Sequence, residues 1–178
     1  MKNREIIILT VVMVALVILR VMSPWENFNP LGAVALMGGL LFTRKILAVS
    51  ITFGALLLGD LLLSLKDATY SEYLFSSSFL FVYAAFAVIL VLGINLSKKP
   101  SVANVLGGSV LAAVAFFLVS NFGSWLYLEM YPKTLEGLTS CMAAGLPFFR
   151  GTITSQILFS LGIYAVYTLA TSRKVILA

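Results

Sequence analysis

Long apolar runs separated by short clusters of charged residues constrain this chain more than any other feature. Only 11% of its 178 residues are Asp, Glu, Lys or Arg, against roughly 25% in soluble globular domains. A helix of about 20 mostly apolar residues crosses a hydrocarbon core of about 30 Å. The runs therefore predict a polytopic membrane protein, in which residues 1–178 form a single integral membrane domain within the lipid bilayer.

Cutting the sequence at its charge clusters gives six apolar segments, which predict an all-α bundle of six transmembrane helices. Their approximate bounds are 5–22, 31–42, 45–65, 78–96, 102–126 and 147–171. The second segment has about twelve residues and would span only about 18 Å as a helix. We expect this short second helix to be broken, re-entrant or shielded by its neighbours, because lipid cannot satisfy exposed backbone polar groups.

The distribution of Lys and Arg predicts the orientation of the bundle, because cytoplasmic loops carry an excess of them. With a cytoplasmic N-terminus, the inner helix ends hold Lys2, Arg4, Arg44, Lys45, Lys98, Lys99, Arg173 and Lys174. The outer ends hold only Arg20, Lys66, Lys133 and Arg150. This asymmetry through six helices predicts that both termini are cytoplasmic.

Composition excludes several classes of function. The chain has no His and one Cys, so it has neither a His base nor a His-bound metal, and it forms no disulfide within itself. It has no GxxxxGK[ST] motif for ATP hydrolysis, and its basic residues form no patch for a nucleic acid. Cys141 and Asp60 are the one pair that an enzyme could use as nucleophile and base, and the absence of His argues against that use. We therefore expect no catalytic residue, no metal and no cofactor.

Asp60 is the sharpest candidate for a functional residue. It lies fifteen positions after Lys45, about 22 Å along a helix that starts at the inner face. A carboxylate at the centre of a spanning helix costs about 2.5–3.5 kcal/mol on insertion scales and calls for a partner. Arg20 and Arg150 are the candidate partners. Asp60 is thus either part of a functional site, one half of a structural ion pair, or a cap for the short second segment.

The sequence Asn27-Phe28-Asn29-Pro30 precedes the short segment. Asn29 can cap the helix, and Pro30 suits its first turn. The N-terminus of a half-length helix is also a recurrent binding device in transporters. Asn27 and Asn29 are therefore candidate substrate-binding residues, with capping as the alternative.

Aromatic rings beside amide, hydroxyl and guanidinium groups concentrate near the predicted outer ends of the last two segments. Such groups line pockets for small ligands, whereas Trp and Tyr also collect in interfacial belts. A pocket is the preferred interpretation for Asn121, Trp125, Tyr131, Phe148 and Arg150, with Gln156 further along the last segment beside Thr152 and Ser155. A belt is preferred for Trp25, Tyr70, Tyr73 and Tyr127.

Two other features leave alternatives open. Cys141 is either a small hydrophobic residue of the pocket or, if Arg150 or Lys133 favours its thiolate form, a ligand for a soft metal. The pairs Ala35/Gly39 and Gly108/Ala112 have small-xxx-small spacing, which allows close helix packing in a membrane. That packing is either within the chain or against a partner protein.

Several of these motifs together resemble a bacterial family of six-helix membrane proteins known as a domain of unknown function. The motifs are Asn27-Phe28-Asn29-Pro30 with Ala33 and Gly38, the isolated Asp60, Asn121-Phe122-Gly123-Ser124-Trp125, Tyr131-Pro132-Lys133-Thr134, Gly137-Leu138 with Cys141, and Pro147-Phe148-Phe149. The resemblance covers nearly the whole chain, and its most specific part runs from Asn121 to Phe149. It implies a location in the bacterial inner membrane.

The architecture is also similar to that of the S-components of energy-coupling factor (ECF) vitamin transporters. These six-helix proteins bind a vitamin beneath their outer loops and do not hydrolyse ATP. The resemblance implies a transport protein that captures a small vitamin-like molecule in an outward-facing pocket and closes residues 127–146 over it. In that pocket Asp60 and Arg150 would set the charge, Asn29 and Asn121 would orient the substrate, and Trp125, Tyr131 and Phe148 would stack on it.

The first segment departs from the S-component pattern. S-components that share an energising membrane partner commonly carry an Ala-x-x-x-Ala face on the first helix, whereas this segment contains only Ala15. Transport with such a partner and transport by the protein alone are therefore both open. The alternative function is that of a membrane scaffold, which would pack its small-residue faces against a partner membrane protein.

Overall fold

The computed structural model describes residues 3–22, 27–96 and 100–172. These residues form seven α-helices and no strand: α1 (Asn3–Met22), α2 (Leu31–Leu41), α3 (Lys45–Lys66), α4 (Ala68–Leu74), α5 (Phe79–Asn95), α6 (Val102–Tyr127) and α7 (Leu135–Ser172). The prediction of an all-α protein is confirmed. Each of the six apolar segments overlaps one of the long helices or α2, because charge clusters and turn residues interrupt the sequence between them.

Three to four of the helices in the described part of the chain have the length and composition of membrane spans. They are α3, α6, α7 and, if counted as one span, the pair α4 and α5, whose axes differ by 71°. The described apolar part of α1 (Ile6–Met22) and α2 are shorter. The predicted orientation rests partly on Lys2, Lys98, Lys99, Arg173 and Lys174, which lie outside the described residues.

The short helix α2 lies in the interior of the bundle, where α3, α5 and α7 surround it. Every residue from Leu31 to Gly39 is buried, and so is Leu41. The expectation that its neighbours shield the short second helix is confirmed. This burial surrounds the 11-residue helix with protein, so its backbone polar groups are not exposed to lipid.

Glycines allow α2 and α5 to touch through their backbones. A Cβ atom on Gly39 would collide with the carbonyl oxygen of Leu90, and one on Gly93 would collide with that of Leu36. On α6, a Cβ on Gly108 would lie 2.7 Å from Leu96. Gly39 and Gly108, one from each of the two small-residue pairs identified in the sequence, therefore pack against other parts of the same chain.

Side chains at both ends of α2 satisfy its backbone. The N-cap position is Pro30 rather than Asn29, but the Oδ1 atom of Asn29 accepts a hydrogen bond from the Leu31 N–H at 2.9 Å and so satisfies one backbone donor at the helix start. At the other end, the Lys45 ammonium group donates to the carbonyl oxygens of Gly39 and Phe42, at 3.0 and 3.2 Å. A cation at this position also compensates the negative end of the helix dipole.

The last helix is longer than the sequence predicts. It has 38 residues, contains Pro147 in its interior, and begins where the Thr134 hydroxyl accepts from the Gly137 N–H at 3.2 Å. The prediction of a loop over residues 127–146 is wrong for residues 135–146. Proline is usually tolerated only in the first turn of a helix, which is why the sequence predicts Pro147 near the helix start. Inside a membrane helix, neighbouring helices can satisfy the backbone groups that proline leaves free. The outer loop predicted after α3 likewise contains α4.

Candidate functional site

Asp60 lies at the centre of a closed cluster of polar side chains. It is fully buried, and its Oδ1 atom lies 2.7 Å from Nη1 of Arg20. The hydroxyl of Tyr70 donates to Oδ1 at 2.7 Å, and that of Tyr83 donates to Oδ2 at 2.9 Å. The Nη2 group of Arg20 also donates to the Tyr70 oxygen at 2.9 Å. These bonds tie together α1, α3, α4 and α5.

Of the two partners predicted for Asp60, the structure selects Arg20. A Cβ on Gly59 would lie 2.8 Å from Arg20 Nη1, so glycine at this position lets the guanidinium group cross α3. Arg150 is exposed on α7 and is not among the groups bound to Asp60. Because both carboxylate oxygens are already occupied, the cluster has the properties of a compensated buried ion pair.

Two adjacent cavities lie between the N-terminus of α2 and helices α5, α6 and α7. The first has a volume of about 30 Å³, and its walls are Asn27, Asn29, Gly32, Phe86, Ile89, Phe116, Thr152 and Gln156. The second, of about 190 Å³, is lined by Asn27, Tyr73, Val82, Phe116, Phe117, Ser120, Asn121, Ser124, Gly145, Phe148, Phe149 and Thr152. Asn27, Phe116 and Thr152 border both, so the two cavities share part of their walls.

The walls of the cavities combine apolar and aromatic side chains with a few amide and hydroxyl groups. None of the described lining residues is Lys, Arg, Asp or Glu. Mostly apolar walls with a few convergent polar groups are typical of ligand pockets.

Gln156 is the least satisfied polar residue of the site. Its side chain is 3% exposed, and within the described part of the chain Nε2 has no hydrogen-bond partner. Its amide group lies against the first turn of α2, since a Cβ on Gly32 would collide with Oε1. The first turn of a helix presents N–H groups without intrahelical acceptors and the positive end of the dipole.

Five of the ten predicted substrate-binding residues line the cavities: Asn27, Asn29, Asn121, Phe148 and Gln156. Asn27 adopts φ 56°, a left-handed conformation that Asn tolerates well. The Nδ2 group of Asn121 donates to the Phe117 carbonyl at 2.8 Å. Its Oδ1 atom faces Gly145, where a Cβ would lie 2.5 Å away.

The other five predicted residues lie outside these two cavities: Asp60, Trp125, Tyr131, Cys141 and Arg150. Asp60 belongs to the Arg20 cluster. Tyr131 is half-buried in the connection between α6 and α7, and Arg150 is exposed at the surface of the bundle.

Trp125 stabilises the connection between α6 and α7. Its Nε1–H donates to the Pro132 carbonyl at 2.9 Å. The Lys133 ammonium group donates to the carbonyl oxygens of Trp125 and Leu128, and thereby caps the C-terminal end of α6. These contacts give Trp125 a structural role that the sequence pattern does not reveal.

Cys141 is buried in the contact between α6 and α7. Its thiol donates to the Asn121 carbonyl, with the sulfur 3.4 Å from the oxygen. Residues 3–22, 27–96 and 100–172 contain no group of three or more His, Cys, Asp or Glu residues that could hold a metal. The geometry at Cys141 is that of a small packing residue.

Three tyrosines have roles that sequence reasoning missed. The pattern favours an interfacial belt for Tyr70 and Tyr73, but Tyr70 binds Asp60 and Arg20, and Tyr73 lines the second cavity. Tyr83 carries no sequence signal of its own. A buried carboxylate needs donors for both oxygens, and that requirement is the signal by which nearby tyrosines could have been found.

The protein is all-α, and three to four of its described helices are long and apolar enough to span a membrane. They surround a buried short helix, beside which lie two cavities with no charged residue among their described walls. The chain belongs to DUF6580, a family of unknown function, whose model matches residues 1–177. The predicted membership of an uncharacterised family that covers the chain is confirmed. No curated protein and no solved structure matches the chain.

Proposed function

We propose that this protein is a substrate-binding transport protein of the bacterial inner membrane, which captures a small vitamin-like molecule at the two adjacent cavities. The observation that carries the proposal is the buried amide of Gln156. It lies at the N-terminus of a buried short helix and lines the first of these cavities. Short helices whose N-termini point into a cavity hold substrate groups in several transporter folds.

The walls of the cavities suggest a division of roles. Asn29, Asn121 and Gln156 orient the substrate through hydrogen bonds, while Phe116 and Phe148 pack against its apolar surface. Asp60 takes no part in binding, since Arg20, Tyr70 and Tyr83 occupy its oxygens. Tyr73 on α4 borders the second cavity, so substrate entry displaces α4 rather than a long loop.

The proposed topology has six membrane spans, namely α1, α2, α3, α5, α6 and α7, with both termini in the cytoplasm. The excess of Lys and Arg at the inner helix ends supports it. In this orientation the N-terminus of α2 and the C-terminal part of α6 place the cavities toward the outer face. This proposed topology is the one that the resemblance to the ECF S-components implies. It is compatible with transport by the protein alone and with transport that needs an energising membrane partner.

The alternative, a membrane scaffold that binds a partner protein, loses its main support. It relies on the faces of Ala35/Gly39 and Gly108/Ala112. All four of these residues are buried, and Gly39 and Gly108 pack against α5 and against Leu36 and Leu96. These faces are therefore occupied within the chain.

Native mass spectrometry of the detergent-purified protein tests the proposal. Asn121 and Asn95 each donate to the carbonyl four residues earlier at 2.8 Å, but only Asn121 lines a cavity. We expect the wild type and Asn95→Ala to retain a small molecule, and Asn121→Ala to lose it by about tenfold. Equal retention in both variants contradicts this site, and a stoichiometric protein partner without a small molecule favours the scaffold.

A further inference from the structure

We propose that the site selects an uncharged, planar ligand and that Gln156 with the first turn of α2 binds a carbonyl oxygen of that ligand. This inference rests on the proposed function and specifies its substrate class. It departs from the expectation that charged residues set the specificity of the pocket.

The first argument is the lack of a counter-charge. None of the described residues that line the two cavities carries a carboxylate, ammonium or guanidinium group. The buried charge of Asp60 is already compensated by Arg20 at 2.7 Å. A charged ligand would therefore be desolvated without an opposite charge beside it, which is expensive in surroundings of low polarity.

The second argument is the polarity of the hydrogen-bonding groups at one end of the site. Gln156 Nε2 is a donor, and it has no partner among the described residues. The first turn of α2, against which Gln156 Oε1 lies, adds the partial positive charge of a helix N-terminus. Both features call for an acceptor. A neutral carbonyl satisfies them without the desolvation cost of a carboxylate, which an Arg or Lys would normally offset.

The third argument is the shape of the apolar walls. In the first cavity the rings of Phe86 and Phe116 pack edge to face with centroids 5.3 Å apart. In the second cavity Phe117 and Phe149 have centroids 5.1 Å apart. Aromatic faces and edges presented at such angles accommodate a flat ring through offset or edge contacts. A conjugated ring that bears an amide or ring carbonyl combines both requirements.

Three probes of nearly equal shape test the charge preference: benzamide, benzoate and benzylammonium. Binding to the wild-type protein in detergent at pH 7 is measured by ligand-observed NMR, and no variant is needed. We expect benzamide to bind in the millimolar range, and both ions to bind about tenfold more weakly or less.

Variants of α7 assign this preference to Gln156. Met has nearly the shape of Gln without its donor, so Gln156→Met lowers benzamide affinity about tenfold. Ser160→Ala is the matched control, because Ser160 is buried one turn further along α7, has no partner among the described residues and lines neither cavity. Gln156→Glu shifts the preference toward benzylammonium, because it adds the missing negative charge.

The outcomes separate this inference from the proposed function. If benzoate or benzylammonium binds the wild type as tightly as benzamide, or if Gln156→Met leaves benzamide binding unchanged, the inference is wrong while a binding pocket remains. If none of the probes binds, the inference is also wrong. The proposed function fails as well only when native mass spectrometry finds no retained small molecule.

Discussion

The guanidinium group of Arg20 lies 2.7 Å from the carboxylate of Asp60, and the two side chains are 11% and 0% exposed. The partners come from the C-terminal part of α1 and the C-terminal part of α3, forty residues apart in the sequence. Each charge is therefore stabilised mainly by the other, and removal of one leaves the other buried without compensation.

Replacement of Asp60 by Asn should destabilise the protein by about 3–5 kcal/mol, the usual cost of breaking a buried ion pair. Replacement of both partners, in Arg20→Met with Asp60→Leu, should be much less destabilising than either Arg20→Met or Asp60→Leu alone. Thermal unfolding in detergent measures these three variants and Asp60→Asn. Additive effects of the two single substitutions would show that the charges do not depend on each other.

Loss of the Tyr70 hydroxyl should loosen α4. Tyr70 is the residue of α4 that binds both Asp60 and Arg20, and hydrogen bonds to charged groups contribute about 1.5–3 kcal/mol. We expect Tyr70→Phe to increase hydrogen exchange at Ala68–Leu74 and to speed ligand exchange past Tyr73. Tyr83→Phe is the control, because it removes a bond to the same carboxylate from α5. Equal exchange in both variants would contradict the role assigned to Tyr70.

Alanine at Gly39 should be poorly tolerated. Its Cβ would meet the Leu90 carbonyl and lie 2.8 Å from the Ile94 nitrogen, so α2 and α5 must separate. Overpacking of this kind costs about 1–3 kcal/mol. Gly54→Ala is the control, because open space surrounds that position, and helix propensity there favours Ala by about 1 kcal/mol. The unfolding midpoint should fall in the first variant and stay or rise in the second.

Two substitutions of Asn27 distinguish the role of its backbone conformation from the proposed role of its side chain in binding. Its φ of 56° suits Gly as well as Asn, whereas a β-branched residue is strained there by about 1–2 kcal/mol. We expect Asn27→Gly to keep the stability of the wild type but to retain less ligand, and Asn27→Val to lose both. Undiminished ligand retention in Asn27→Gly would remove this amide from the site.

The apolar helices could be predicted from the sequence because charge clusters and turns interrupt it at their ends. Two elements could not. Helix α4 has no buried residue and only seven residues, so no apolar run reveals it. The start of α7 is obscured by Pro147, a local signal that the packing of α7 on α6 overrides.

The candidate site was predictable where a polar residue interrupts an apolar helix. Asn121 and Gln156 stand out for this reason, and both line the cavities. Asp60 stands out equally, but its role depends on Arg20, Tyr70 and Tyr83, which come from three other helices. The residue pattern of one helix does not show which side chains of other helices contact it. The sequence therefore does not show whether a buried charge is paired within the protein or is free to bind a ligand.

The burial of α2 has a consequence for how the protein assembles. Eleven helical residues rise only about 16 Å, so α2 cannot insert as a stable span by itself. Helices α3, α5 and α7, which surround it, are all synthesised after it. The second hydrophobic segment therefore lacks part of its final surroundings until α7 is made, and the two cavities, whose walls include α7, form only then.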